Sequence, residues 1–185
     1  MANIGVGYNT SNSLVTGIMI RLRPYKACDA KYIAKWLQSE YEFHQWFADG
    51  YESYPITEEM INKRYMDSAN SNTSWEMTAF NEVGILGHFI MRFTDKEMKT
   101  VRFEFVIIDN NLRGKGDRKE ILEIAIKYSF EILKVEKITL GVFENNLSAY
   151  YCYKSAGFNT VKSVNEKYSI LNEEWLSIEM ELLKL

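Results

Sequence analysis

Apolar and polar residues alternate along several short segments of the chain, which is the pattern of half-buried β-strands. The alternation over residues 18–23 predicts a first strand that stops at Pro24. A last alternating run at residues 176–182 predicts a half-exposed strand. Three further runs, separated by turn residues, predict an antiparallel meander at residues 75–80, 85–93 and 100–108.

Apolar residues recur at helical spacing in two segments of the N-terminal half. Asp29 is a candidate N-cap for a first helix, whose apolar face runs from Tyr32 to Leu37. Thr57 is a candidate N-cap for a second helix. Between them, residues 41–54 are rich in aromatic side chains without a regular period. We expect this aromatic segment to fold over a cavity or an edge of the core.

Strands and helices alternate in the C-terminal half. The strand at residues 100–108 runs into a glycine-containing turn, and residues 121–133 then follow the spacing of a long amphipathic helix. A short strand at residues 138–143 precedes a short helix at residues 148–154, which ends at Gly157, and another strand starts after it. This order of strand, helix, strand, helix and strand implies a crossover connection with parallel pairing.

Length and composition favour one globular domain. The 185 residues are 46% hydrophobic and 25% charged, and residues 18–185 form the predicted domain. Residues 1–17, rich in Gly, Asn, Ser and Thr, predict a flexible tail. The net charge of −3 supplies no basic field for nucleic acid. No apolar run approaches the roughly 20 residues that span a bilayer, so we expect a cytoplasmic protein without a membrane partner.

Cysteine and histidine are too sparse for a disulfide framework or a metal centre. Cys28 and Cys152 lie far apart in the sequence, which favours reduced thiols. His44 and His88 belong to no cluster with ligand spacing, so we expect no metal.

A turn with two glycines, Gly114 and Gly116, joins a predicted strand to the start of a predicted helix. Glycine allows close backbone approach, and the N–H groups and dipole of a helix N-terminus attract anions, so this turn is a candidate phosphate site. The turn lacks the Gly-Lys-Ser/Thr ending of a nucleotide P-loop and the third glycine of a dinucleotide fingerprint. These spacings disfavour an ATPase and a dehydrogenase.

Two motifs, in the right order, resemble those of the GNAT acetyltransferases. Residues 112–116, Leu-Arg-Gly-Lys-Gly, resemble the pyrophosphate loop of that family. A later motif, after the strand at residues 138–143, has the family's spacing at Asn146, Ala149, Tyr153 and Gly157-Phe158. The resemblance runs from about residue 20 to the end of the chain, and the chain looks most similar to the branch that contains ribosomal-protein N-terminal alanine acetyltransferases.

The resemblance implies a single α/β domain whose mixed, mostly antiparallel sheet of about seven strands is splayed at its centre and flanked by helices. Acetyl-CoA would lie between the strands that end at Ile108 and Phe143, with its pantetheine along the first of these strands and its pyrophosphate on residues 113–118. The implied cofactor-binding residues are Val106, Ile107, Ile108, Arg113, Gly114, Lys115, Gly116, Asp117, Arg118 and Asn146.

The loop departs from the family pattern at Arg118, where the family has Gly or Ala, and Asp117 precedes it. The Arg118 side chain would either crowd the pyrophosphate or turn toward the phosphates and strengthen their binding, whereas Asp117 would repel them. Asn146 is expected to bind the cofactor or to act as the N-cap of the helix that follows it.

The resemblance also implies catalytic roles. Tyr153 corresponds to the family tyrosine that protonates the departing CoA sulfur, and a phenol with a pKa of about 10 is able to protonate a thiolate whose acid has a pKa of about 8.5. Glu104, on the strand beside the cofactor, is the candidate general base and would reach the amine through water. The alternative for Glu104 is an outward-facing carboxylate paired with Arg102 or a lysine.

The function that follows is transfer of acetyl from acetyl-CoA to a primary amine by direct attack. The acceptor is left open among a protein N-terminus, a polyamine, an amino sugar and another small amine. The aromatic segment and Trp75 are expected to roof the acceptor site. The acidic residues expected to attract an ammonium group there are Glu40, Glu42, Asp49 and Glu52.

Two other functions fit the same fold. A non-catalytic module would bind acyl-CoA without turnover, and a protein-interaction module would bind no CoA. Exposed edge strands would allow a homodimer.

Overall fold

Seven strands form one sheet in the computed structural model, which describes residues 19–47, 53–68, 71–112 and 117–184. The predicted tail at residues 1–17 and loop residues 113–116 lie outside these ranges. The strands span Arg21–Pro24 (β1), Ser74–Phe80 (β2), Ile85–Phe93 (β3), Thr100–Ile108 (β4), Lys137–Phe143 (β5), Asn159–Ile170 (β6) and Glu173–Leu183 (β7). The α-helices span Ala30–Trp36 (α1), Glu40–Trp46 (α2), Glu58–Ser68 (α3), Asp117–Glu131 (α4) and Leu147–Ser155 (α5).

The sheet is mixed and mostly antiparallel, as predicted. Its strand order is β1-β2-β3-β4-β5-β7-β6. The strands β2, β3 and β4 form the predicted meander, and β4 and β5, joined through α4, pair in parallel. Because a parallel pair needs a crossover connection, the long helix α4 lies against one face of the sheet.

Parallel pairing, which the order of strands and helices predicted, is present between β4 and β5 but does not continue beyond β5. β7 lies between β5 and β6 and is antiparallel to both. The two last strands are joined by a two-residue turn in which Leu171 and Asn172 have positive φ angles of 51° and 62°. Such turns match the right-handed twist of a hairpin, so the final strand folds back into the sheet and β6 becomes its edge.

Two boundaries differ from the sequence predictions because of local context. β1 begins at Arg21 rather than at residue 18 and ends at Pro24 as predicted, and this proline is tolerated because β1 is an edge strand. The aromatic segment begins with a regular helix, α2, whose N-cap Ser39 accepts a hydrogen bond from the Glu42 N–H at 3.2 Å. The sequence showed no helical period here, because α2 is short and several of its aromatic side chains pack on different partners.

Helices cover both faces of the sheet and give two apolar cores. The first core packs α4 and α5 on one face and includes Phe103, Ile121 and Phe158. The second core packs α1, α2 and α3 on the other face and includes Phe43 and Ile107. An opening between the central strands therefore connects the two faces of the sheet, each of which is covered by helices.

The two central strands separate halfway along their length. β4 pairs with β5 only from Thr100, opposite Lys137, to Phe103, opposite Leu140. Beyond these pairs, the register of β4 with β3 shifts at a β-bulge around Phe105, whose φ angle is +51°. A bulge adds a residue and bends its strand, so β4 turns away from β5 at this point.

A buried polar cluster joins β1, β2 and the start of α1. Asp29 occupies the N-cap position of α1, but its side chain makes no cap hydrogen bond, contrary to the prediction. Its carboxylate instead accepts from Arg23 at 2.7 and 2.8 Å and from the Thr78 hydroxyl at 2.9 Å. Thr57 does cap α3, because its hydroxyl accepts from the Met60 N–H at 3.3 Å.

His88 lies in the second core and is 1% exposed. Its Nε2 lies 2.7 Å from the Tyr65 hydroxyl, and no described residue hydrogen-bonds to Nδ1. Burial lowers the pKa of His88 to about 3, and Asp29 opposes this effect only in part. The imidazole is therefore neutral at physiological pH.

Candidate active site

A cavity of about 820 Å³ fills the opening between β4 and β5. Its walls come from both faces of the sheet, because α5 residues such as Tyr153 and α2 residues such as Trp46 line it together. The side of α4 and α5 is called the donor side below, and the side of α2 is called the acceptor side. A small reactant on one side can meet a reactant on the other only through this opening.

The backbone of β4 presents hydrogen-bonding groups to the opening. The Asp109 N–H donates to the Leu86 carbonyl at 2.9 Å, and Ile107 pairs with His88. Because peptide groups alternate in direction along a strand, those of Val106 and Ile108 point away from β3. β5 does not pair with this part of β4, so an extended chain of amides would find partners there.

The predicted cofactor residues of β4 differ in the direction of their side chains and peptide groups. Val106, Ile107 and Ile108 all line the cavity. The side chains of Val106 and Ile108 pack against the first core, whereas that of Ile107 is part of the second. Only Val106 and Ile108 direct their peptide groups into the opening.

Tyr153 lies on α5 at the donor side. Its ring is 7% exposed and contacts Phe158 edge-on at a centroid distance of 6.1 Å. No described residue hydrogen-bonds to its hydroxyl. Burial raises the pKa of Tyr153, and the neighbouring Cys152 adds to the effect while Arg118 opposes it. The phenol is consequently protonated at neutral pH and is able to donate a proton into the cavity.

The N-termini of α4 and α5 meet at the donor end of the cavity. The Arg118 Nη1 donates to the Ser148 Oγ at 3.2 Å, which places a guanidinium on the cavity wall. Asn146 is the N-cap of α5, and its Oδ1 accepts from the Ala149 N–H at 3.2 Å. A cation and two helix N-termini together favour the binding of an anion.

The predicted loop residues are only partly described. Arg113, Gly114, Lys115 and Gly116 lie outside the described residues, and Asp117 opens α4 with only its backbone described. Arg118 lies on the cavity wall, and which of its two expected effects on a phosphate applies stays a prediction.

The acceptor side is roofed by α2. Tyr41, Glu42, Gln45 and Trp46 line the cavity, so part of the predicted aromatic segment does lie over it. The Gln45 Nε2 donates to the Asn145 Oδ1 at 3.1 Å, which ties α2 to the loop between β5 and α5.

Tyr41 adds a second contact between α2 and the far half of the sheet. Its ring packs edge-on against Trp175 of β7 at a centroid distance of 4.8 Å. Together with the Gln45 hydrogen bond, this contact makes α2 span the opening between the two halves of the sheet.

Glu104 lies at the wall of the cavity on the acceptor side. The Arg92 Nε lies 3.1 Å from both carboxylate oxygens, and the Arg92 Nη2 lies 2.5 Å from Oε1. The Arg102 Nε is 3.7 Å from the same Oε1. The ion pair expected as the alternative role is thus present, but its main partner is Arg92 rather than Arg102.

A side pocket of about 300 Å³ adjoins the acceptor side. It is lined by Arg102, Glu166, Tyr168, Ser177 and Glu179, three of which also line the main cavity. The Arg102 guanidinium is ion-paired with Glu179, and the Tyr168 hydroxyl donates to Glu166 at 2.7 Å.

Several acceptor-site predictions need correction or lie outside the structure. Trp75 does not roof the cavity, because it lies on β2 and packs edge-on against Phe93 at 5.3 Å, two strands from the opening. Glu40 is exposed and does not line the cavity. Asp49 and Glu52 lie outside the described residues.

Sequence reasoning missed Gln45, Tyr168 and Ser177. Ser177 lies on β7, which was not predicted to pair with β5, and Tyr168 lies on the edge strand β6 beyond it. No local pattern marks these three residues, because they reach the cavity only through the order of the strands and the position of α2.

Neither a membrane span nor a metal cluster is evident in the described part of the chain. No helix there is long and apolar enough to cross a bilayer. The same residues contain no group of three or more His, Cys, Asp and Glu side chains placed to hold a metal ion.

Comparison with known proteins gives one family. The model of the acetyltransferase (GNAT) domain matches residues 20–159. The chain is 27% identical over 139 residues to the spermidine N(1)-acetyltransferase of Vibrio cholerae, covering 75% of this chain and 78% of that protein. It is 26% identical over 185 residues to the N-acetyltransferase 9-like protein of Dictyostelium discoideum, covering 88% of this chain and 85% of that protein.

The fold has a solved counterpart. The crystal structure of the Vibrio cholerae spermidine N-acetyltransferase in complex with CoA and spermine superimposes with a TM-score of 0.75. It is 22% identical in sequence and covers 89% of this chain and 95% of that chain. The likeness confirms the predicted splayed α/β fold. The narrower resemblance to ribosomal-protein acetyltransferases stays a prediction.

The family model spans most of the chain, and both predicted motifs begin within its range. The expected acetyltransferase activity, with acetyl-CoA as the acyl donor, is thereby confirmed. The chain belongs to the acetyltransferase (GNAT) domain family.

Proposed function

We propose that the enzyme acetylates a primary amine of a polyamine such as spermidine or spermine. The observation that carries this proposal is the cavity between β4 and β5, which has Tyr153 on its donor side and carboxylates on its acceptor side. The names of the relatives support the choice of polyamine, since several are spermidine acetyltransferases.

The charge of the acceptor side supports a polycationic acceptor. The charged side chains that line it and the side pocket are Glu42, Glu104, Glu166, Glu179 and Arg102. Among the described residues, these four carboxylates face two guanidinium groups, that of Arg102 and that of Arg92, which pairs with Glu104. The excess of carboxylates gives a negative potential in a confined space, which attracts an alkylammonium chain. The rings of Tyr41, Trp46 and Tyr168 add surfaces for cation–π contacts and for the methylene groups.

On the donor side, the backbone edge of β4 would hold the pantetheine amides of acetyl-CoA through Val106 and Ile108. The N-termini of α4 and α5, with Arg118, would hold its phosphates. The Asn146 amide would fix the start of α5, and Ile107 would support β4 from the second core. Residues 113–116 and Asp117 keep their predicted place in the phosphate loop.

The acetyl transfer would proceed by direct attack of a neutral amine nitrogen on the thioester carbonyl carbon. The Val106 N–H would stabilise the negative charge that develops on the carbonyl oxygen. When the carbon–sulfur bond breaks, the Tyr153 hydroxyl would protonate the CoA thiolate. The Tyr153 phenol is protonated at neutral pH, as an ordinary tyrosine is, and burial raises its pKa, which widens the pH range of the protonated form and makes the phenol a weaker acid.

Glu104 is proposed as the group that accepts the amine proton, through water. A carboxylate has about four lone-pair sites, and Arg92 occupies three contacts with them, so one acceptor position remains for a water. Arg92 would hold the carboxylate in a fixed orientation at the cavity wall.

The test is CoA release from acetyl-CoA by purified enzyme with spermidine, spermine, an N-terminal alanine peptide and glucosamine. We expect release with the two polyamines to exceed release with the other amines at equal concentration. Release with the peptide alone would reassign the acceptor to a protein N-terminus. Binding of acetyl-CoA without release by any amine would favour the non-catalytic module.

A further inference from the structure

The bulge residue of β4 has a backbone conformation that needs support. Phe105 has a φ angle of +51°, which is uncommon for a residue with a bulky side chain. A strained residue of this kind persists only when its surroundings hold it in place. The contacts that hold Phe105 therefore control the shape of β4 at the opening.

One of these contacts is a hydrogen bond from α2. The indole Nε1–H of Trp46 donates to the Phe105 carbonyl oxygen at 2.7 Å. The Phe105 ring also stacks on Phe47 at a centroid distance of 4.3 Å with an interplanar angle of 23°. The Arg64 guanidinium lies over the Phe47 and Phe105 rings at 4.5 and 5.4 Å.

The hydrogen bond from Trp46 fixes the orientation of the whole peptide group between Phe105 and Val106. Phe105 C=O and Val106 N–H belong to one planar trans peptide, in which the two groups point in opposite directions. Trp46 approaches from the acceptor side, so its hydrogen bond turns the Val106 N–H away from α2. On either side of the bulge, Glu104 and Ile107 pair with β3, so β3 does not set the orientation of this peptide.

We propose that Trp46 is a positioning residue for acetyl transfer: by binding the Phe105 carbonyl, it aims the Val106 N–H at the thioester carbonyl oxygen. This inference rests on the proposed function, in which the Val106 N–H stabilises the developing oxyanion. Because Trp46 also lines the acceptor side, the same ring contacts both the acceptor space and the donor strand.

The decisive variant replaces Trp46 with 3-benzothienylalanine, an analogue that keeps the shape of the indole ring and lacks only its N–H group. Trp46→Phe is a second variant. Trp75→Phe is the matched control, because Trp75 lies on β2 away from the cavity. Thermal unfolding checks that all three variants fold. The readouts are kcat, the KM values for acetyl-CoA and spermidine, and the infrared carbonyl band of bound acetyl-CoA labelled with ¹³C at the carbonyl.

We expect the benzothienyl variant to lose about ten- to a hundredfold in kcat, since removal of one oxyanion donor costs about 10²–10³ and this change only misaligns it. Both KM values should stay within about twofold of the wild type, and the bound carbonyl band should shift toward that of free acetyl-CoA. The Trp75→Phe control should match the wild type in every readout.

An unchanged kcat with an unshifted band would overturn the inference. A higher KM for spermidine with unchanged kcat would also overturn it, because Trp46 would then only pack against the acceptor. If the proposed function itself is wrong, the wild-type enzyme will release no CoA with any amine, which distinguishes that outcome from failure of this inference.

Discussion

Removal of the Tyr153 hydroxyl should separate catalysis from folding. In Tyr153→Phe the buried ring and its contact with Phe158 remain, and only the hydroxyl is lost. No described residue hydrogen-bonds to that hydroxyl, so its removal leaves no described donor or acceptor unsatisfied. The free energy of unfolding should therefore change by less than about 1 kcal/mol.

The effect on turnover should be far larger. General acid catalysis contributes about 10²–10⁴ in rate, which corresponds to about 3–5 kcal/mol of activation free energy. Because burial raises the pKa of Tyr153, the wild type should not lose kcat through this group below the ordinary tyrosine pKa of about 10. The phenol stays protonated until the pH exceeds its raised pKa.

The assay is CoA thiol release at saturating spermidine and acetyl-CoA from pH 6.5 to 9.5, with urea unfolding of each protein. Tyr151→Phe is the matched control, because Tyr151 lies on the same helix and is 65% exposed. We expect kcat of Tyr153→Phe to fall at least a hundredfold and kcat of Tyr151→Phe to be unchanged. A Tyr153→Phe variant within threefold of wild-type kcat would refute the acid role.

Three further perturbations test the buried histidine, the candidate base and the phosphate site. The pKa of His88 is about 3 in the folded protein and about 6.5 in the unfolded chain, so folding stability is lost as the pH falls below 6.5. Between pH 7.5 and 5, the free energy of unfolding measured in urea should fall by about 2 kcal/mol more in the wild type than in His88→Gln. Equal decreases in the two proteins would contradict this prediction. Glu104→Gln should lower kcat/KM about a hundredfold at pH 7 and by less at pH 10, where more of the amine is already neutral. An equal decrease at both pH values would mean that Glu104 acts only through its ion pair with Arg92 and not as the base. Calorimetric titration should show that Arg118→Ala binds acetyl-CoA about tenfold more weakly than the wild type. Lys119→Ala is the control and should bind normally, because the Lys119 side chain pairs with Glu123. Equal affinities of Arg118→Ala and the wild type would show that Arg118 does not bind the phosphates.

Local patterns predicted the elements that carry the donor side. β4 and the long helix α4 lie close together in sequence, and each is set mainly by its own residues, whereas the glycine turn between them lies outside the described residues. The N-cap role of Asn146, one of the two roles expected for it, is present, and α5 ends before Gly157, with φ of +100°, as the sequence predicted.

The acceptor side could not be predicted to the same depth because its walls come from distant segments. Insertion of β7 beside β5 brings Tyr168 and Ser177 to the cavity, and strand order depends on hairpin packing that no single segment encodes. The Trp46 hydrogen bond to Phe105 joins residues 59 positions apart, so no sequence period reports it.

Amide hydrogen exchange, followed by NMR with and without acetyl-CoA, tests most directly whether acetyl-CoA occupies the opening between β4 and β5. The peptide groups of Val106 and Ile108 face that opening, so acetyl-CoA should slow the exchange of their N–H groups. The Met77 and Ala79 amides of β2, which pairs on both sides within the sheet, should be unaffected. Saturation with acetyl-CoA without protection at Val106 and Ile108 would contradict the proposed site.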